Sequence, residues 1–252
     1  MSSNEKKSSF ELNFPHLCEL YQDLGNDAFD GWFNILPHKI FATKLSLSYF
    51  EQLEHTLGSL SDVAWLSLKS KLGKQSNSSR RELLSLLNEA AGYKRFLEIL
   101  DEKHIGFDQI VPPPQPPTKR RTEKEPEWFA IRGGNVVAAM EVKTVFNSDY
   151  EDEFVDSNTK KIEAGELPNV RRLMPILSHG FYNKISDHVR KAKSQLAAVQ
   201  GELELLVIFL VLNIDYEAAH VSDIRNKVEH FLQDQQSGNL TIVAEMRSPF
   251  LN

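Results

Sequence analysis

The segment Val136–Lys143 constrains the fold of this chain more than any other part of the sequence. Successive side chains of a β-strand point to opposite faces, and the five residues from Val136 to Met140 are all apolar, so both faces of this strand must be covered. Strands of this kind lie in the middle of α/β sheets that have helices on both sides. The segment ends with two opposite charges, Glu141 and Lys143, that share one face of the strand.

Hydrophobic periodicity predicts the other elements of the same unit. A helix that begins at Arg80, and that Gly92 is expected to weaken or split, precedes a short strand at Phe107–Val111. A hairpin over Trp128–Val145 turns at Gly133-Gly134-Asn135. The elements predicted after it are a helix at Lys184–Val199, a strand at Leu205–Ile214, a helix at Val221–Leu232 and a strand at Leu240–Met246. A hairpin followed by helix–strand crossovers implies a mixed sheet flanked by helices.

Residues 1–79 are expected to form an N-terminal helical region, and residues 80–252 the α/β domain. Apolar residues at helical spacing between Phe41 and Leu57 predict one helix, and Asp62 is a candidate cap for a second. The Ser-rich segment from Gly73 to Arg81 is the expected joint between the two parts. We interpret the aromatic cluster Phe29–Ile35 as core, and no pattern in this region points to catalysis.

Composition narrows the function classes. The formal net charge of −6 argues against a protein that coats nucleic acid by bulk electrostatics, although it leaves room for a local basic groove. The single cysteine, Cys18, cannot form an internal disulfide or a cysteine zinc site, so a reducing cytoplasm fits best. The polar segment Met1–Ser9 lacks the apolar core of a signal peptide, and the apolar run Leu203–Ile214 is too short to cross a membrane. We therefore expect a cytoplasmic protein with no membrane partner.

Glu127 lies on the first strand of the predicted hairpin, within reach of Glu141 if the two strands pair as expected. Burying a charge is costly unless the charge is paired or ligates a metal. A hard cation held by carboxylate oxygens can neutralise phosphoryl oxygens and lower the pKa of a bound water, which phosphodiester cleavage requires. The two glutamates with Lys143 therefore suit metal-assisted hydrolysis.

Pro126-Glu127, then a hairpin, then Glu141-Val142-Lys143 resemble the signature of the PD-(D/E)xK nuclease superfamily, whose fold is restriction-endonuclease-like. The order of the surrounding helices and strands is similar too, and the resemblance covers roughly Arg80 to Asn252. It implies a nuclease-like domain at residues 80–252, and it does not reach the N-terminal helices. The family usually has aspartate as its first acid, whereas this chain has Glu127, which is one methylene longer.

The resemblance implies a role for each residue of the motif. Glu127 and Glu141 would ligate Mg²⁺, for which Mn²⁺ would substitute, with the backbone carbonyl of Val142 as a further ligand. Lys143 would orient or deprotonate the attacking water, or stabilise the developing charge.

Two further residues are candidates because of the elements on which they lie. The leading helix of this superfamily often supplies another acid, for which Glu89 fits best and Glu98 is the second choice. This acid would lie in the outer coordination shell of the Mg²⁺ or bind a second metal ion. Gln195 matches the glutamine that some branches place on the helix after the lysine strand, where it would position the water or a phosphate.

Basic residues near the motif are candidate contacts to a nucleic-acid backbone. Arg190, Lys191 and Lys193 lie on the helix that contains Gln195. Arg120 and Arg121 lie in a proline-rich segment, where a solvated loop is the favoured explanation of a charge run. By analogy, DNA is favoured over RNA as the substrate of a Mg²⁺-dependent nuclease, and a homodimer is left open.

Three other interpretations are open. A nuclease-like fold that has lost catalysis could serve as a binding or scaffold protein, which the glutamate at position 127 and the acidic net charge favour. A helical interaction protein would have no sheet at all. Glu141 and Lys143 could also be an ordinary charged pair at a solvated strand end.

Overall fold

The structure is a computed structural model that describes residues 12–24, 44–73, 80–114, 125–146, 157, 161, 164–166, 179–199, 201–213 and 221–247. The predicted aromatic cluster Phe29–Ile35 and the middle of the predicted joint, residues 74–79, lie outside these ranges. No described helix is long and apolar enough to span a membrane.

The described part of the N-terminal region is helical, as predicted. It contains α1 (Pro15–Leu24), α2 (Lys44–Gly58) and α3 (Asp62–Gly73), and α4 (Arg80–Glu102) follows. Buried side chains of all four helices form one cluster, which includes Leu20, Leu57, Leu68, Leu72, Leu86 and Leu87. The helices on either side of residue 79 therefore share a core, and the domain boundary predicted there stays a prediction.

A five-stranded mixed sheet forms the centre of the α/β part. Its strands are β1 (Gln109–Val111), β2 (Trp128–Arg132), β3 (Asn135–Phe146), β4 (Leu205–Asn213) and β5 (Leu240–Met246), in the order β1-β2-β3-β4-β5. The pairs β1–β2 and β2–β3 are antiparallel, whereas β3–β4 and β4–β5 are parallel. This confirms the predicted α/β class with a mixed sheet, and the interpretation as a helical protein without a sheet is wrong.

Helices cover both faces of the sheet because its central strands are apolar on both faces. On one face, Phe96 and Leu100 of α4 pack in one cluster with Met140 and Phe209. On the other face lie α5 (His179–Ala197), which precedes β4, and α6 (Val221–Gln233), which precedes β5. Their apolar side chains pack against alternate residues of β4, and this second cluster includes Ile185, Leu196, Ile208, Leu210 and Val228.

The turn between β2 and β3 follows the predicted glycine pair. Gly133 and Gly134 have φ of 56° and 79°, and Arg132 pairs with Asn135 across the two-residue loop. Positive φ at both central residues matches the twist of an antiparallel hairpin, and glycine adopts it without strain. The turn therefore sets the register of the residues next to it. An irregularity between Ala130 and Ile131 then shifts the register by one residue, so that Trp128 faces Met140.

Helix α4 continues through Gly92 without a break, so the expected split at this glycine is wrong. Gly92 lies where α4 packs on β3, and a Cβ built at this position would overlap the Cγ2 of Val142. The glycine lets the helix approach the sheet closely, and this packing outweighs its poor helix propensity.

We expect Gly92→Ala to lower the free energy of unfolding by about 1–3 kcal/mol, although alanine is the better helix former. The added methyl must displace Val142 or the helix. Urea unfolding measures the effect in Gly92→Ala and in the double variant Gly92→Ala/Val142→Ala. The control is Gly106→Ala, because a Cβ at Gly106 would meet open space. The double variant should recover part of the loss, and a Gly92→Ala protein at least as stable as wild type would contradict this packing.

Candidate active site

The hairpin brings the two predicted metal ligands opposite each other. Trp128 pairs with Met140, so the next facing positions on the two chain segments are those of Glu127 and Glu141. Glu127 directly precedes β2 and its side chain is 24% exposed, whereas that of Glu141, within β3, is fully buried. The site therefore extends from a buried carboxylate to one that solvent reaches.

Lys143 neutralises the buried carboxylate. Two residues after Glu141 and on the same face of β3, its Nζ donates to Glu141 Oε1 and, at 2.5 Å, to Gln195 Oε1. Gln195 reaches it from α5, and the Nε2 of Gln195 contacts the backbone carbonyl of Glu125 at 3.5 Å. Two of the predicted residues thus contact Lys143 directly.

Glu89 joins the site from α4. The indole Nε1 of Trp128 donates to the backbone carbonyl of Glu89 at 2.9 Å, and the Trp128 ring packs edge-to-face on Tyr93 at 5.1 Å between centroids. This contact holds the middle of α4 against the start of β2, beside Glu127. Glu98, the second choice for this acid, is 44% exposed and pairs with Arg95 at 2.8 Å. The structure therefore places Glu89, and not Glu98, in the cluster.

A lysine that no sequence pattern indicated links Glu89 to Glu127. Lys71 of α3 donates from its Nζ to Glu89 Oε2 at 2.5 Å and to Glu127 Oε2 at 2.8 Å. These partners lie 18 and 56 residues away in the chain, so local periodicity could not reveal them. The one signal in the sequence is that Lys71 lies next to the buried Leu68 and Leu72, at the edge of the apolar face of α3.

The acidic side chains of this cluster change the pKa of Glu89. Burial above all, and then the charge of Glu127, raise the pKa of Glu89 to about 8; Lys71 opposes this rise and Glu141 adds to it. Burial lowers the pKa of Lys71, but the charges of Glu89 and Glu127 outweigh it and leave the pKa raised. Glu89 therefore holds a proton more readily than an ordinary glutamate, and a divalent cation that binds Glu89 must displace that proton.

The donor atoms suit a hard cation. Mg²⁺ binds carboxylate and carbonyl oxygens, which Glu89, Glu127 and Glu141 provide. Within the described ranges, no three His, Cys, Asp or Glu side chains are grouped closely enough to hold a metal ion in their present positions. The chemistry thus fits, while the Lys71 ammonium contacts two of the three carboxylates. Val142, whose carbonyl is the other predicted ligand, directs its side chain towards α4 and Gly92.

The candidate phosphate contacts on α5 differ in their surroundings. Lys191 is exposed and lies four residues before Gln195, on the same side of the helix. Arg190 is 75% exposed and pairs with Asp187 at 2.9 Å. Lys193 donates to the backbone carbonyl of Gln235 at 2.9 Å, on another side of the helix. Arg120 and Arg121 lie outside the described residues.

His188 lies seven residues before Gln195 on the same side of α5, and its buried Nδ1 has no hydrogen-bond partner among the described residues. Burial first, and then the charges of Lys143, Lys191 and Lys184, lower the pKa of His188 to about 4. The imidazole is therefore neutral at physiological pH.

Because the unfolded state binds the proton of His188 more tightly, the folded protein should lose stability as pH falls from about 6.5 to about 4. His188→Gln should lose less over that range, since glutamine does not titrate. Urea unfolding at pH 4.5, 5.5 and 7.5 compares wild type, His188→Gln and His55→Gln, a change at an exposed histidine. If the free energy of unfolding falls equally with pH in wild type and in His188→Gln, the result would count against the lowered pKa of His188.

The five predicted catalytic residues thus form two contacting groups. Glu141 and Gln195 contact Lys143, while Glu89 and Glu127 contact Lys71. The charges of Glu127 and Glu141 both act on Glu89, which joins the groups electrostatically. Comparison of the chain with protein-family models, with curated proteins and with solved structures found no match.

Proposed function

We propose that the protein is a metal-dependent nuclease that hydrolyses phosphodiester bonds, with DNA as its preferred substrate. The observation that supports it is the convergence of three carboxylates, a lysine and a glutamine from α4, the β2–β3 hairpin and α5. An ordinary ion pair at a strand end needs only Glu141 and Lys143. It does not account for Gln195 and Glu89, which reach the pair from α5 and α4. The resemblance of Glu127 and Glu141-Val142-Lys143 to the PD-(D/E)xK superfamily favours the same activity.

Each residue would have a distinct role in this activity. Glu127 and Glu141 would hold Mg²⁺, and Glu89 would support them from α4. When bound, the cation would supply charge neutralisation at the phosphate and lower the pKa of a water. Exposure of Glu127 and burial of Glu141 would leave one side of the site open to a polynucleotide and the other closed to solvent.

The contacts of Lys143 favour one of its possible roles. Its Nζ is held by Glu141 and Gln195, so its direction is fixed before a substrate binds. An ammonium paired with a carboxylate donates hydrogen bonds and does not accept a proton. Lys143 would therefore orient the attacking water or stabilise charge on the phosphate, and it would not act as the base while this pair persists.

The test combines Mn²⁺ calorimetry with plasmid cleavage in Mg²⁺ and in Mn²⁺. Wild type should bind Mn²⁺ and nick plasmid DNA, and Glu141→Gln should lose both with little change of shape. Glu204→Gln is the matched control, since Glu204 also pairs with a cation, Arg132, but is 44% exposed and precedes β4. Folded wild type that cleaves neither DNA nor RNA with either cation would exclude the proposed activity.

The second candidate is a binding or scaffold protein that has lost catalysis. The contact of Lys71 with two of the three carboxylates favours it, because the chain itself neutralises part of the acidic cluster. This candidate predicts DNA binding that persists in EDTA, without cleavage, and that Glu141→Gln leaves unchanged. Cleavage that is lost in Glu141→Gln would exclude it.

A further inference from the structure

Lys71 reaches the site from a helix whose position is fixed by packing. Leu68 and Leu72, on either side of Lys71 in α3, are each 2% exposed and belong to the core shared with Leu86 and Leu87 of α4. The base of the Lys71 side chain is therefore held against α4. Its flexible stem then places the ammonium beside Glu89 and Glu127.

The environment of Lys71 differs from that of a surface salt bridge. Its side chain is 27% exposed, that of Glu89 is 13% exposed, and one ammonium bridges the carboxyl groups of Glu89 and Glu127. Lys69 on the same helix is 22% exposed and lies over the ring of Trp65, but its partner carboxylate, that of Glu19, is 45% exposed. Solvent screens the charge of a half-exposed carboxylate such as Glu19, whereas a cation between two more buried acids strongly affects any other cation that approaches them.

We propose that Lys71 is an internal counter-cation that competes with a divalent cation for Glu89 and Glu127, so that the N-terminal helical region sets the metal affinity of the site. This inference rests on the proposed metal site. A divalent cation that takes Glu127 as a ligand must repel the ammonium 2.8 Å from that carboxylate. Lys71 can then swing away on its flexible stem while α3 keeps its place on α4.

The experiment is calorimetric titration of Mn²⁺, without nucleic acid, into wild type, Lys71→Met and Lys69→Met. Methionine keeps a long unbranched stem and removes the charge. We expect Lys71→Met to bind Mn²⁺ about tenfold more tightly than wild type, or better, because a competing cation is gone. Lys69→Met, which loses a cation from the same helix, should bind like wild type.

The outcomes separate this inference from the proposed activity. Equal or weaker Mn²⁺ binding by Lys71→Met would overturn the competition and leave the metal site in place. Absence of Mn²⁺ binding in both proteins would overturn the competition and the metal site together. Tighter binding by Lys71→Met without cleavage of DNA or RNA by any of the three proteins would support the competition and exclude the nuclease activity.

A measurement on wild type covers the case in which Lys71→Met does not fold. In protein labelled with ¹³C-lysine, saturating Mg²⁺ should shift the side-chain ε-methylene resonance of Lys71 as its ammonium leaves the carboxylates. The resonance of Lys69 should stay in place. No shift at Lys71, with Mg²⁺ bound at the site, would overturn the inference.

Discussion

Replacement of Lys143 by methionine should lower the free energy of unfolding by about 3–5 kcal/mol, the usual cost of removing one partner from a buried ion pair. The Glu141 side chain is fully buried and Lys143 is 16% exposed, so the carboxylate would lose its cation where water cannot replace it. Urea unfolding at neutral pH measures the loss. A matched control is Lys227→Met, whose partner Asp223 is 52% exposed and where we expect a loss below about 0.5 kcal/mol.

The double variant Glu141→Gln/Lys143→Met separates stability from catalysis. It removes both charges, so most of the lost stability should return. Cleavage should not return, and we expect its rate to stay about a hundredfold or more below wild type, since both chemical groups are gone. Equal losses of stability in Lys143→Met and Lys227→Met would show that the pair is not the buried one described above.

Replacement of Trp128 by alanine should be comparably damaging, with a loss of about 3–5 kcal/mol. Trp128 is 2% exposed, packs on Tyr93 and donates a hydrogen bond to the backbone of Glu89. Its removal leaves a cavity between α4 and β2 and frees α4 to shift. We therefore also expect weaker Mn²⁺ binding, because Glu89 would no longer be held beside Glu127.

Trp65→Ala is the control for this prediction. Trp65 lies in α3, is only partly buried and makes a longer hydrogen bond, 3.4 Å, to the side chain of Glu19. Its replacement should cost less stability and leave Mn²⁺ affinity unchanged. If the two tryptophan variants lose stability and metal affinity equally, Trp128 does not have the positioning role inferred from its contacts.

Local features of the sequence determined much of this fold. Strand β3, observed at Asn135–Phe146, was predicted at Val136–Val145 from its apolar run, and the glycine pair before it predicted the turn. The sequence also placed Glu127 within reach of Glu141 across this hairpin, but the two positions face each other only because an irregularity between Ala130 and Ile131 shifts by one residue the register that the turn sets. The common face of Glu141 and Lys143 follows from strand geometry alone. These properties depend on residues that are neighbours in the chain or across one hairpin.

Only the tertiary structure decided how separate elements meet. Gly92 was expected to interrupt a helix, but the approach of α4 to Val142 makes it part of the packing. Lys71 contacts Glu127, which lies 56 residues away in the chain. Lys193 donates a hydrogen bond to the backbone carbonyl of Gln235, which belongs to a different segment. Periodicity shows which face of a helix is buried, but not which side chain from another element lies against it. That depends on the distance and angle at which the helices pack on the sheet, and these are set by the whole core.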